Sequence, residues 1–198
     1  MSNATYLFEL PFRGFHNSES WWTAFFSMLV LFLAHEDAEA SIPLYAYNAE
    51  NAIHRTGSFD FNGYTYSKTV IEGALRGDVF AFDIWPNEFL NLKPDITFWI
   101  PEKKKVVFVE VKTIGASIQG NASTYVALRD HMRKEGWDAH LYYLLSHGHE
   151  ATNDWPVIEK SSIPFILWED VLKLSLNTPF SHVFDEAIEQ YITLPNAT

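Results

Sequence analysis

Two short stretches of the chain carry side chains suited to holding a divalent cation and a water molecule. Pro94-Asp95 stands immediately before the apolar run Ile96-Thr97-Phe98-Trp99-Ile100, and Glu110-Val111-Lys112 closes the apolar run over residues 105–112. Side chains two apart on a strand share a face, so Glu110 and Lys112 lie side by side while Val111 packs opposite. The turn Pro101-Glu102-Lys103-Lys104 between the runs predicts a hairpin, its lysines discouraging further pairing. Pairing Ile100 with about Val106 brings Asp95 close to Val111, within a residue or two of Glu110 and Lys112. Two carboxylates and a backbone carbonyl are oxygen ligands of the kind a hard cation takes, and Mg²⁺ uses one or two carboxylates while keeping several waters. A neighbouring ammonium orients water or helps deprotonate it. An isolated E-x-K is equally a partly buried ion pair or a solvated strand end, so the signal lies in the combination of motifs and elements.

The elements that must position these residues are legible from residue 67 onward. Val70, Ile71, Ala74 and Leu75 at helical spacing, followed by Gly77, predict a helix over 67–76. An apolar, aromatic run at 79–85, broken by Pro86-Asn87, predicts a strand, and the two strands of the hairpin follow. Residues 123–136 read as a helix with Tyr125, Leu128 and Met132 on one stripe, Arg129, Arg133 and Lys134 on another face, and Gly136 at its end. A buried strand at 140–145, a polar loop at 147–153, a strand at 163–168, a helix at about 169–176 and a short helix at 184–191 complete the reading. Residues 41–66 read as short extended pieces and turns, punctuated by Pro43, Gly57, Asn62 and Gly63.

Pro-Asp before one apolar strand, E-x-K ending the next, 14 residues between Asp95 and Glu110, a helix before and a helix and strand after together resemble the PD-(D/E)XK nuclease superfamily, over roughly residues 67–168. The resemblance implies an α/β, restriction-endonuclease-like core: a helix, a three-strand antiparallel meander, a helix and further strands. Residues 1–66 then form an N-terminal helical elaboration and residues 67–198 the nuclease-like core with C-terminal helices, the whole making one compact domain. It further implies that Asp95, Glu110 and the Val111 carbonyl bind Mg²⁺ or Mn²⁺ and that Lys112 positions the attacking water for hydrolysis of DNA phosphodiester bonds. Members that add a glutamate from the first helix point to Glu72. Those with glutamine and tyrosine on the helix after the lysine point to Gln119 as a substrate contact and, at departing spacing, to Tyr125, which reads better as core. Arg129 and Arg133 are further phosphate-contact candidates beside Lys134, although a solvated helix face explains all three.

Composition bounds the rest. The chain has 198 residues, of which 47% are hydrophobic, and no cysteine, which excludes disulfides, thiolate metal sites and cysteine nucleophiles. The net charge of −11 argues against a diffuse basic coat for nucleic acid, yet residues 68–120 hold 7 of the 14 basic groups against 7 acidic ones. The uncharged stretch 21–34 is too short to span a bilayer and predicts a core or interface helix, the latter serving a homodimer or a partner protein. Residues 1–11 lack the pattern of a secretory signal, which predicts a cytoplasmic protein. His147-Gly148-His149 with Glu150 and Asp154 offers metal-ligand types without a defining spacing. Two other readings stand beside a nuclease: a catalytically inactive nuclease-fold module for protein or nucleic-acid binding, and an acidic, DNA-mimicking inhibitor.

Overall fold

The computed structural model describes residues 19–37, 39–50, 52–64, 69–71, 89, 92, 94–112, 118, 122–145 and 155–182. They form an α/β fold around one mixed sheet. In chain order the elements are α1 (Glu19–Glu36), β1 (Ser41–Asn48), β2 (Ala52–Asp60), β3 (Thr69–Ile71), β4 (Ile96–Ile100), β5 (Lys105–Val111), α2 (Ala122–Lys134), β6 (Asp138–Leu145), α3 (Trp155–Ser161), β7 (Phe165–Leu167) and α4 (Trp168–Ser175). The sheet has seven strands in the order β2-β1-β7-β6-β5-β4-β3. β5, β6 and β7 run parallel, while β3-β4-β5 and β7-β1-β2 are joined by antiparallel pairing.

Alternation along β5 divides the core in two. Val107, Val109 and Val111 join Phe98, Leu144, Trp168 and the buried face of α1, whereas Val106 and Phe108 join Leu128, Met132, Leu141 and Ile158 under α2 and α3. The sheet is thus covered on both faces, as its parallel centre requires. α1 is apolar almost all round because it lies deep: Phe25, Phe26, Leu29 and Val30 are essentially inaccessible. Its buried Ser27 hydroxyl is satisfied by donating to the Thr23 carbonyl at 2.8 Å. Much of the stretch 21–34 is therefore core, with Met28, Leu31, Phe32 and Ala34 partly buried beside it.

Four local features depart from the sequence-based expectations. The helix expected over 67–76 is absent at Thr69–Ile71, which form β3 and pair antiparallel with β4. Thr69, Val70 and Ile71 are consecutive β-branched residues, whose χ1 restriction favours a strand, and the gain from sheet pairing outweighs the helical spacing. β3 thus takes the third place in the antiparallel meander; the strand expected at 79–85 lies outside the described residues. The β1–β2 hairpin, read as short pieces and turns, is instead a long ladder with a shift between Leu44 and Tyr45, and it enters the same sheet where Tyr45 pairs with Phe165. The β4–β5 hairpin closes one residue tighter than anticipated, with Ile100 opposite Lys105. Pro101–Lys103 make a 3₁₀ turn, and Lys104 adopts a left-handed conformation (φ 47°) with its N–H on the Pro101 carbonyl. α3 (Trp155–Ser161) is a helix not expected from the sequence, while α2, β6, β7 and α4 fall close to their expected places. α2 ends at Lys134, and Gly136 after it has a φ of +82°, which suits the left-handed position past a helix. The helix expected at 184–191 lies outside the described residues.

Candidate functional site

The tighter register places Asp95 one step beyond the Ile96–Val109 pair, opposite Glu110. By strand alternation Asp95, Thr97 and Trp99 on β4 point to the same face as Val106, Phe108 and Glu110 on β5, the face covered by α2 and α3. Lys112, one residue past the end of β5, continues that alternation. The three charged residues singled out from the sequence therefore converge at the carboxyl end of β5, where the parallel strands of an α/β sheet present their ends to a ligand.

The local bonding fixes each of them. Asp95, 9% exposed, accepts the Val111 backbone N–H on Oδ2 at 2.7 Å. This side-chain bond takes over where the β4–β5 ladder stops. Glu110, 6% exposed, accepts the Lys112 ammonium on Oε1 at 2.9 Å. Its Oε2 is buried without a hydrogen-bond partner among the described residues. A buried carboxylate oxygen with no donor is energetically costly unless something positive or hydrogen-bonding reaches it. The Lys112 backbone is held from two sides: its N–H donates to the Leu144 carbonyl at 2.9 Å, and its carbonyl accepts the Trp168 indole N–H at 3.3 Å.

The donor set fits a hard divalent cation. Asp95 and Glu110 supply two carboxylates on one face, the Val111 carbonyl belongs to the same strand end, and the orphaned Glu110 Oε2 is a position such an ion would satisfy. Among the described residues no group of three or more His, Asp or Glu side chains is able to hold a metal, so the pair is the whole carboxylate set there. That leaves an all-imidazole or His-rich transition-metal site without support among those residues.

The other expected residues are distributed differently. Glu72 and Gln119 lie outside the described residues, as do His147, His149, Glu150 and Asp154. Tyr125 is a core residue, 4% exposed under α2. Arg129 is engaged by Asp130, with Nε 2.9 Å from Oδ1. Arg133 sits in the last turn of α2 and donates Nε–H to the Ala139 carbonyl at 2.8 Å. Ala139 pairs with Val106, four residues from Glu110 on β5, or about 13 Å along a strand. The structure thus does not bring Arg133 to the carboxylate pair: α2 runs back along the sheet and carries its basic end to the opposite end of β5 and β6.

Sequence reasoning missed Trp168. Its ring packs among Trp22, Phe25 and Phe26 of α1 at centroid distances of 5.1, 6.4 and 6.3 Å. A tryptophan following an apolar strand carries no signal that its N–H will reach a strand end 56 residues away.

Comparison of the chain with protein-family models, curated proteins and solved structures finds no significant match. Among the described residues no helix is long and apolar enough to cross a membrane.

Proposed function

We propose that the protein is a divalent-metal-dependent nuclease that hydrolyses DNA phosphodiester bonds. The observation that carries this reading is the convergence of Asp95, Glu110 and Lys112 on one face at the end of β5, with Glu110 Oε2 buried and unpartnered. Asp95, Glu110 and the Val111 carbonyl would hold Mg²⁺ or Mn²⁺. A bound ion of this type lowers the pKa of water and neutralises charge on phosphate oxygens. Lys112 holds a proton at Nζ close to Glu110, and the same ammonium is placed to orient water and to stabilise charge developing on a phosphate. The net charge of −11 favours a small footprint on DNA or a partner that supplies further contacts, in a cytoplasmic setting.

The test is cleavage of supercoiled, linear and single-stranded DNA with Mg²⁺ or Mn²⁺, beside a chelator control and the variants Asp95→Ala and Lys112→Ala. Metal-dependent cleavage lost in both variants supports the reading. No cleavage, together with no metal binding by calorimetry, overturns it in favour of a non-catalytic module in which Glu110 and Lys112 are a structural ion pair.

A further inference from the structure

The end of β5 is held by three bonds of different origin. Val111 N–H reaches the Asp95 side chain, Lys112 N–H reaches the β6 backbone, and Lys112 C=O is taken by the Trp168 indole. The third is a side-chain bond that comes from outside the β5–β6 register, whose described pairs run from Lys105–Asp138 to Val111–Leu144. Trp168 is 2% exposed and begins α4 directly after β7. Its N–H crosses to the strand end while its ring is seated in the aromatic layer formed by α1. A rigid, fully packed donor on a carbonyl restricts the backbone from which the Lys112 side chain departs.

We propose that Trp168 is a positioning residue: its indole N–H fixes the Lys112 backbone and thereby the aim of the Lys112 ammonium at Glu110, so that α1 belongs to the scaffold of the site. The part that concerns catalysis rests on the nuclease reading above. The backbone clamp itself does not. Loss of the N–H frees one carbonyl at the strand end and lets residues 111 and 112 fray. The aromatic cluster on the other face of the sheet remains closed as long as a ring occupies the position.

The experiment uses the full chain and Trp168→Phe, which keeps a ring and removes the donor. Amide hydrogen exchange is expected to quicken about tenfold at Val111 and Lys112, the equivalent of one net hydrogen bond, with protection over 96–109 unchanged. In the cleavage assay with Mg²⁺, kcat is expected to fall about tenfold with KM for DNA unchanged. Uniform loss of protection across the sheet, or no change at residues 111 and 112, overturns the clamp. A normal kcat in a variant with local fraying overturns its catalytic consequence. If the wild-type protein cleaves no DNA, the nuclease reading fails by itself and the exchange data alone decide the clamp. Should Trp168→Phe fail to fold, Trp22→Phe loosens the seat of the indole while leaving its N–H, and the same local pattern is expected at about threefold.

Discussion

The Val111 amide donates to the Asp95 carboxylate at 2.7 Å, so the aspartate that faces Glu110 also ends the β4–β5 ladder. Its structural and electrostatic roles are separable. Asparagine retains an acceptor oxygen for Val111 and loses the charge. Asp95→Asn is expected to change the urea midpoint by less than the equivalent of about 1 kcal/mol, while Mg²⁺ binding measured by calorimetry is abolished. A full-strength heat signal in that variant would remove Asp95 from the cation site.

Lys112 and Glu110 form a pair whose side chains are 13% and 8% exposed. Truncating the lysine leaves a buried carboxylate with neither oxygen satisfied by a described partner. Lys112→Ala is expected to cost ~3 kcal/mol of unfolding free energy in the absence of metal. The double variant Lys112→Ala/Glu110→Gln is expected to recover part of that loss, since the uncompensated charge is gone. Chemical denaturation of the two variants and the parent in chelator gives the comparison directly.

Saturating Mg²⁺ is expected to stabilise the folded chain by about 2.7 kcal/mol at a hundredfold excess over Kd, because the unfolded chain has no assembled site. The thermal midpoint should therefore rise with the cation. It should not rise in Glu110→Gln, and a rise preserved in that variant would place the ion elsewhere.

His140 lies at the other end of the sheet, with Nε2 2.9 Å from Asp138 Oδ1. Burial holds its imidazole below the usual 6.5; Lys105 and Arg133 push the same way, and Asp138 opposes them. A depressed folded-state pKa means that the unfolded chain binds the proton more readily. The stabilisation is therefore present above 6.5 and is lost as pH falls through the lower folded value. Urea midpoints should decline on acidification over that window, and His140→Gln should flatten the decline.

Phe25 tests whether α1 is core. It is fully inaccessible, lies parallel to the Trp168 ring and meets Phe180 edge-on. Phe25→Ala is expected to cost about 4 kcal/mol of stability, read by denaturant unfolding. A near-neutral result would mean that the helix is held by something other than this cluster.

The hairpin bearing Asp95 and Glu110 was legible because alternation, a polar turn and short sequence separation all act locally. The register slipped by one since nothing in Pro101-Glu102-Lys103-Lys104 announces a left-handed Lys104, which tightens the turn. Tyr125, Leu128 and Met132 mark the buried stripe of α2, but helix periodicity says nothing about which end of the helix lies nearer Asp95 and Glu110, and Arg133 proves to lie at the far end, against Ala139. Thr69–Ile71 carried a helical spacing and a β-branched run at once, and pairing with β4 decided between them. The place of β1 and β2 in the sheet was not legible at all, because contacts between distant segments leave no local pattern.

That distant contact has a consequence in time. Tyr45 pairs with Phe165, 120 positions further along the chain, and among the described strands β7 is the one that ties the β1–β2 hairpin into the sheet. As the chain leaves the ribosome, the β1–β2 hairpin must wait until the residues through Leu167 have been made before β7 is available to its inner strand. Closing so long a loop delays the reward for ordering it, so assembly of this edge is expected to come late and to set the pace of folding.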